Sequence, residues 1–180
     1  STRKESSAAS DVYKRQLEEV LTATEAETLS GRAIVVKKLK PLPVEAGGSV
    51  SLVARGWKAY QAAHAVCGIA LPECLRLASR LEKPIFTPSS KAAVGEHDAN
   101  ISFEEVEGLI GAELAKEMKE VSLEIYRFAS KLAIEKGIII ADTKFEFGLD
   151  SNNQLTLMDE VLTPDSSRFW SLSDYTLSLI

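Results

Sequence analysis

Hydrophobic and polar residues follow patterns that change several times along the first part of the chain. From Leu17 a short helical spacing of apolar residues continues toward Gly31 and predicts a helix that ends there. Residues 33–36 are apolar throughout and predict a buried strand. Pro41 and Pro43 then exclude a helix, because proline fixes φ and lacks an N–H donor, so we expect an extended connector between two lobes.

Two helices are predicted after residue 100. Ser102 followed by Glu105 forms a capping box, and glycines at 108 and 111 are expected to end the helix that it opens. A longer helix follows, ending at Gly137, and its core-facing seam is predicted from apolar spacing of three and four. The predicted seam consists of Leu114, Met118, Val121, Ile125, Phe128 and Leu132.

A β-hairpin is predicted after the long helix. Residues 138–147 favour a strand, the next six residues favour a turn, and residues 154–158 favour the returning strand. Side chains alternate with a period of two along a strand, so Asp142, Lys144 and Glu146 are expected to share one face. The two phenylalanines between them are expected to anchor the other face in the core.

This polar face is the first candidate for chemistry. Folding the hairpin back is expected to bring Asp159 and Glu160 near the start of the first strand, so that three carboxylates and a lysine converge. Oxygen ligands of this kind suit Mg²⁺ bound together with nucleotide phosphates, and the order of residues is similar to the catalytic loop and metal aspartate of protein kinases. Spacing alone leaves the alternative open that these are charge pairs on a solvated face.

A long polar segment, residues 86–100, is the second candidate. It carries several hydroxyl groups, the ammonium group of Lys91, and His97 beside Asp98. These groups suit a negatively charged, phosphorylated substrate. A zinc site is not expected, because His64 is far along the chain from His97 and the two cysteines, Cys67 and Cys74, have no second Cys/His pair.

Composition narrows the class of protein. The 180 residues carry 21 Lys and Arg against 26 Asp and Glu, a net charge of −5, which argues against binding nucleic acid through bulk positive charge. No apolar run reaches the roughly 18 residues of a membrane span. Two cysteines and no signal-peptide pattern are typical of a cytoplasmic protein.

Four longer motifs, in this order, resemble those of the SAICAR synthetase (phosphoribosylaminoimidazole-succinocarboxamide synthase) family. They are VKKLKPLPVE at residues 36–45, FTPSSK with GEHDANIS within residues 86–102, DTKFEFG at residues 142–148, and DEVLTPDSSRFW at residues 159–170. The resemblance covers about residues 17–170.

The resemblance implies an α+β, two-lobed fold related to the kinase-type nucleotide-binding architecture. It implies an ATP-dependent ligase of purine biosynthesis that joins L-aspartate to the carboxylate of carboxyaminoimidazole ribonucleotide and releases ADP and phosphate. The implied cofactors are ATP and Mg²⁺, and the implied partners are these small molecules, with no nucleic acid and no membrane. A homo-oligomer is left open.

The resemblance also implies roles for individual residues. Asp142 and Lys144 would contact reacting groups, and Glu146 and Asp159 would hold Mg²⁺. Substrate would be bound by Lys91, His97, Asp98, Asp165 and Arg168. Adenine would lie along the hinge, residues 37–45, which includes Lys37, Leu39 and Glu45.

The chain departs from the family pattern in three places. Residues 46–55 keep the length but not the content of a family motif, so its substrate-contacting Arg and Ser have no safe equivalents and Arg55 is given no role. We predict a foreign or disordered leader at residues 1–16, a remnant of the N-terminal lobe and hinge at 17–45, a catalytic lobe at 46–170 and a non-family tail at 171–180. Most of the N-terminal lobe would then be missing.

The functional expectation follows from these departures. A fragment without most of its N-terminal lobe is expected to be inactive or very weak by itself. Two alternatives stay open, a non-catalytic nucleotide-binding remnant and another kinase-like phosphotransferase. Dependence on aspartate would discriminate the ligase from another phosphotransferase, and ligand binding without ADP formation after the missing lobes are restored would favour the non-catalytic remnant.

Overall fold

The computed structural model describes residues 19–31, 33, 35–91 and 99–175. The chain divides into two units, residues 1–38 and residues 39–180. In the first unit, helix α1 (Ala23–Leu29) is preceded by Thr22, whose backbone N–H donates to the Glu25 carboxylate at 3.0 Å. This bond satisfies one of the free N–H groups at the start of the helix.

Two predictions for the first unit need correction. The helix was expected from Leu17, which lies outside the described residues, but it begins only at Ala23, after the cap. Residues 33–36 were expected to form a buried strand, yet no strand is assigned to the described residues among them, and Val35 and Val36 are exposed. An apolar run becomes a strand only where a neighbour pairs its backbone, and the structure describes no such neighbour here.

Two twelve-residue strands, β1 (Lys40–Ser51) and β7 (Ile138–Leu149), form the centre of the sheet in the second unit. They pair antiparallel along almost their whole length, from Lys40 opposite Leu149 to Ser49 opposite Asp142. Burial alternates along most of both strands, which is the pattern of a sheet with one face in the core.

The expected proline connector is part of β1. Pro41 and Pro43 lie on its exposed side, while Leu42 and Val44 are buried, and the pairing with β7 is irregular between Pro41 and Glu45. Proline is compatible with a strand at such an irregularity, because no ladder hydrogen bond then depends on its missing N–H. The extended conformation was therefore predicted correctly, with the prolines in a paired strand, and the role of residues 37–45 as a hinge between lobes stays a prediction.

Short strands flank the two long ones, and seven of the described strands form this sheet. The first half of β1 pairs with β5 (Ser89–Ser90), which continues to β6 (Ala99–Asn100), and its second half pairs with β4 (Arg80–Phe86). Likewise, the first half of β7 pairs with β9 (Ser167–Ser171) and its second half with β8 (Leu155–Asp159). Two different short strands therefore lie one after the other along one edge of each long strand.

The predicted hairpin is confirmed. Its strands are β7 and β8, and the Asp150 carboxylate closes the turn by accepting hydrogen bonds from the backbone N–H groups of Asn152 and Gln154. An aspartate that satisfies nearby N–H groups in this way is typical of tight turns.

Helix α2 (Ala54–Ala63) and the two-stranded ribbon β2 (Ala65–Val66) and β3 (Ile69–Ala70) follow β1. Helix α3 (Phe103–Ile110) begins with the predicted capping box: Glu105 N–H donates to the Ser102 hydroxyl at 3.2 Å, and Ser102 N–H donates to the Glu105 carboxylate at 2.7 Å. Gly111 ends the helix as expected, whereas the position of Gly108 is helical.

Helix α4 (Ala112–Glu135) packs on β1 and β7 and covers the buried face of the sheet. Met118 is fully buried, as predicted, but Phe128 is 67% and Leu132 48% exposed, so these two predicted core positions are wrong. The fully buried positions are Ala115, Met118, Ser122 and Tyr126. The seam therefore includes two polar residues that a purely hydrophobic pattern overlooks.

The core explains why those polar residues are tolerated. Tyr126 donates its hydroxyl hydrogen to the Ile140 carbonyl at 2.5 Å, and Ser122 donates to the Met118 carbonyl at 2.6 Å. Buried polar groups with a partner avoid most of the desolvation cost. The result is an α+β architecture in which α4 covers one face of an antiparallel sheet. Among the described residues, no helix is both long and apolar enough to cross a membrane.

Candidate functional site

The face of the sheet opposite α4 carries a row of charged side chains on β7. Asp142, Lys144 and Glu146 are half-buried, while the alternate residues Phe145 and Phe147 are buried in the core. The predicted sharing of one face by these three charged residues is confirmed. The strand period produces this arrangement, and the phenylalanines under α4 fix its direction.

Lys144 lies against β1. Its Nζ donates a short hydrogen bond to the Glu45 carboxylate, which also accepts one from the Ser89 hydroxyl at 3.1 Å. The Glu45 side chain is only 15% exposed. A lysine held by a mostly buried carboxylate has few conformations available, so its ammonium group has a defined position on the face.

Glu146 lies at the middle of a row of acids that crosses three strands. Its Cα lies opposite Glu45 on β1 and opposite Asp159 on β8. Directly opposite residues in antiparallel strands project their side chains to the same face. Lys91 donates from Nζ to the Glu146 carboxylate at 2.8 Å, while Asp159 is exposed and accepts from the Glu160 backbone N–H at 2.8 Å.

One expectation for the hairpin is wrong. Asp159 was expected near the start of β7, beside Asp142, but it lies opposite Glu146, four residues further along the strand. The start of β7 pairs with β9 instead, and there Arg168 lies opposite Asp142. The hairpin turn at residues 150–153 sets this register, because β8 is too short to reach the start of β7.

The carboxyl group of Asp142 has a raised pKa, and only one of its two oxygen atoms has a protein partner. One of its oxygens, Oδ2, accepts a short hydrogen bond from Arg168, while Oδ1 is buried and has no protein partner. Burial raises the pKa of this carboxyl above its ordinary value, and the guanidinium of Arg168 opposes part of that rise. A buried oxygen without a partner carries an unmet desolvation cost that a ligand N–H or O–H could relieve.

A cavity of about 170 Å³ opens beside these residues. Asp142, Lys144 and Arg168 line one side of it, and the start of α2, with Arg55, lines another. The hydroxyl of Ser51 is buried there without a partner. The cavity therefore combines three cationic side chains, a helix N-terminus and the Ser51 hydroxyl, groups that suit a negatively charged ligand, with Asp142 Oδ1, which suits an N–H or O–H donor of that ligand.

Arg55 and Ser51 are residues that sequence reasoning missed. The departure from the family motif at residues 46–55 left both without a role. The signal that could have found them is local, since Arg55 stands in the first turn of a helix that follows the central strand. The pairing of β1 with β4 and β7, which brings this turn to Asp142, was not visible in the sequence.

The other predicted site residues are more scattered. Asp165 is exposed in the turn that precedes β9, and Leu39 packs against Gly148 at the start of β1. Lys37 is exposed and belongs to the first unit. His97 and Asp98 lie outside the described residues.

The acidic row does not form a metal cage by itself. Within the described ranges, no three or more His, Cys, Asp or Glu side chains converge closely enough to hold a metal ion. The carboxylates of Glu146 and Asp159 nevertheless lie at directly opposite positions on adjacent strands, and carboxylate oxygens are hard donors. Two carboxylates are the protein contribution that Mg²⁺ uses when nucleotide phosphates and water complete its shell.

Comparison with known proteins identifies one family. The family model for SAICAR synthetase matches residues 5–178. A curated relative from Polaromonas sp. (strain JS666 / ATCC BAA-500), a phosphoribosylaminoimidazole-succinocarboxamide synthase, is 58% identical over 158 residues, which cover 88% of this chain and 52% of the relative. The chain therefore spans about half the length of the curated relatives that it matches.

Solved structures agree with the sequence comparison. SAICAR-synthase from Saccharomyces cerevisiae complexed with SAICAR aligns with a TM-score of 0.75 at 34% identity, covering 94% of this chain and 62% of that one. A SAICAR synthetase (Type-2) in complex with ADP aligns with a TM-score of 0.64 at 30% identity, covering 78% of this chain and 55% of that one.

Proposed function

The chain belongs to the SAICAR synthetase family, and on that premise we propose that it provides the substrate-activating part of an ATP-dependent ligase of purine biosynthesis. The reaction joins L-aspartate to the carboxylate of carboxyaminoimidazole ribonucleotide and yields SAICAR, ADP and phosphate. This activity is proposed for the whole protein, because the chain spans only about half the length of its relatives.

The chemistry requires that a carboxylate become a good acyl donor. Transfer of the γ-phosphoryl group of ATP to a carboxylate oxygen forms an acyl phosphate and releases ADP. The amine of aspartate then attacks the acyl carbon, the C–O bond to phosphate breaks, and the amine gives up a proton as the amide forms. Both steps concentrate negative charge, which fixed cations can stabilise.

The observation that carries the proposal is the cavity beside β7. Lys144, Arg168 and Arg55 line it together with the unpartnered hydroxyl of Ser51. A guanidinium group fits a phosphate or carboxylate through two parallel hydrogen bonds, so the two arginines suit the phosphate of a ribonucleotide. Lys144, held by Glu45, suits the carboxylate that is activated.

Asp142 supplies the acceptor. Asp142 lines the cavity and its buried Oδ1 has no protein donor, so an N–H group of the bound substrate would satisfy it. The raised pKa of Asp142 also favours its taking up a proton. We therefore assign Asp142 and Lys144 to the reacting groups, and Lys91, His97, Asp98, Asp165 and Arg168 to substrate binding.

Glu146 and Asp159 are the proposed ligands of Mg²⁺. Their directly opposite positions on β7 and β8 place two carboxylates side by side, and Glu146 already accepts a cationic group, the ammonium of Lys91. When bound, the metal would neutralise the charge of the nucleotide phosphates.

The nucleotide is proposed to lie along residues 37–45. The relative with ADP supports a nucleotide site in the family. Lys37, Leu39 and Glu45 are the residues that we assign to this segment. The Glu45 side chain contacts Lys144 and Ser89, so we expect adenine to meet the backbone there.

The cellular setting is also part of the proposal. Cys67 and Cys74 are free thiols, and burial raises the pKa of the Cys67 thiol to about 11, which keeps it protonated and unreactive. This supports a reducing compartment, and we propose the cytoplasm. The proposed partners are small molecules, and a homo-oligomer is open to test.

The experiment is calorimetric titration of the 180-residue chain with SAICAR. We expect binding by the wild-type chain and a loss of affinity of roughly tenfold to hundredfold in Arg168→Ala, since a charge-assisted hydrogen bond contributes about 1.5–3 kcal/mol. Arg127→Ala, which removes an exposed arginine on α4, is the matched control and should stay within twofold. A folded wild-type chain without affinity, or equal effects of both substitutions, would contradict the proposal.

A further inference from the structure

Lys91 forms an ion pair with Glu146, a residue that the proposed function assigns to metal binding. Its Nζ lies 2.8 Å from Glu146 Oε2, and both side chains are largely buried, 30% and 23% exposed. The lysine backbone is held as well, because its N–H donates to the Pro43 carbonyl of β1 at 3.2 Å. The contact therefore joins β7 to the segment that follows β5.

The position of Glu146 explains why it needs a cation. It lies between two other acids, Glu45 and Asp159, directly opposite each across the sheet. Like charges at directly opposite positions destabilise a sheet. Lys144 pairs with Glu45 and Lys91 pairs with Glu146, so two of the three acids in the row have an ammonium partner.

A divalent cation between Glu146 and Asp159 would lie close to the ammonium group of Lys91, which holds Glu146 Oε2. An ammonium group and a metal ion cannot both occupy one oxygen at close range without strong repulsion between them. We propose that Lys91 is an internal counter-ion that competes with the divalent cation for Glu146 and is released when the cation binds. This inference rests on the proposed metal role of Glu146 and Asp159.

Once it is released from Glu146, the ammonium group of Lys91 is available to bind another group. The residue follows Ser89 by two positions, and Ser89 lines the cavity. Its backbone stays attached to β1, so the freed ammonium group remains at this end of the site. It then binds an anionic group of the substrate, either carboxylate or phosphate. Metal binding frees Lys91 for the anion, so the two binding events are coupled. By thermodynamic linkage, the bound anion raises the affinity for the metal by the same factor as the bound metal raises the affinity for the anion.

The first measurement is binding of Mn²⁺, a probe for hard oxygen sites, to the 180-residue chain by electron paramagnetic resonance. Lys91→Met should tighten binding roughly three- to tenfold, because the competing cation is gone. The control Lys131→Met removes an exposed lysine of α4 with the same change of charge and should shift affinity less than twofold. Glu146→Gln and Asp159→Asn should each weaken binding by roughly tenfold or more.

The second measurement is the rate of lysine acetylation followed by mass spectrometry. Mg²⁺ should speed the modification of Lys91 about threefold or more but not that of Lys131, and Asp159→Asn should abolish the difference. A purely structural ion pair would show no such response to the metal.

The outcomes separate the two proposals. If Glu146→Gln and Asp159→Asn weaken Mn²⁺ binding while Lys91→Met leaves it unchanged, the metal site stands and the competition is refuted. If the two carboxylate variants bind Mn²⁺ like the wild type, the metal site and the competition both fail.

Discussion

At the scale of single residues, the two oxygen atoms of Asp142 have different surroundings. Oδ2 is paired with Arg168, and Oδ1 is buried with no protein donor. The carboxyl is therefore only half satisfied, and its pKa is raised, mainly by burial. A group in this state is expected at sites that bind or transform a ligand.

The raised pKa predicts how stability depends on pH. The folded state holds the Asp142 proton more tightly than the unfolded chain, so the stability from this group is present below its ordinary value of 3.8 and is lost as pH rises through the folded pKa. The Asp142→Asn variant has no carboxyl group at this position, so it does not lose this stability as pH rises. We expect the free energy of unfolding of the variant, relative to wild type, to increase from pH 4 toward pH 7 in chemical denaturation.

A matched variant controls for the loss of a carboxylate. Asp165→Asn removes an exposed carboxylate in the turn before β9. A wild-type curve parallel to that of Asp142→Asn, or a difference that shrinks with rising pH, would show that burial does not dominate at Asp142.

The residues of the site were predictable in kind but not in pairing. Alternation along one strand is enough to place Asp142, Lys144 and Glu146 on one face. It does not reveal that each takes a partner from a different part of the chain, Arg168, Glu45 and Lys91 respectively. Those pairs join residues 26, 99 and 55 positions apart, and their contacts depend on a register that no local pattern encodes.

At the scale of elements, the signals with a local cause were the reliable ones. The capping box at Ser102, the glycine after Ile110 and the aspartate turn of the hairpin each satisfy backbone groups within a few residues. Residues 33–36 and the prolines of β1 depended on which neighbour pairs with them, so their local patterns were misleading.

Helix α4 shows the same limit on its core-facing side. Apolar spacing predicted that Phe128 belongs to the seam, but the helix turns Tyr126 and Ser122 inward instead. The glycine at position 48 allows this, because a Cβ there would come within 3.0 Å of the Tyr126 ring. A large aromatic side chain can thus pack directly against the backbone of β1.

This corrected seam leads to a prediction for stability. Met118→Ala creates a cavity in the core and should lower the free energy of unfolding by about 2–5 kcal/mol. Phe128→Ala removes a side chain that is 67% exposed and should change it by about 0.5 kcal/mol or less. Urea denaturation of both variants measures these changes. Equal losses of unfolding free energy would show that Phe128 contributes to the core, as the apolar spacing predicted.

At the scale of the whole molecule, two long strands organise the site. β1 and β7 each pair with a different short strand at either end, so side chains from distant parts of the chain meet on one face. The α+β fold was expected from the resemblance to the family, and the hairpin and the long helix agree with it. The order of strands, and with it the cavity, required the pairings themselves.

The metal assignment is the other claim at this scale, because its two ligands lie on different strands. Glu146 and Asp159 are opposed in the sheet, and Lys91 balances the charge of Glu146. Activity that depends on this pair would connect the architecture to the chemistry of carboxylate activation.

The most direct test is turnover in a chimera in which residues 39–171 replace the matching segment of the Polaromonas relative. We predict that the chimera releases ADP only when aspartate, carboxyaminoimidazole ribonucleotide and Mg²⁺ are all present. Asp159→Asn in the chimera should lower that rate by roughly a hundredfold or more while its circular dichroism stays unchanged. ADP release that ignores aspartate, or a fully active Asp159→Asn chimera, would contradict the account.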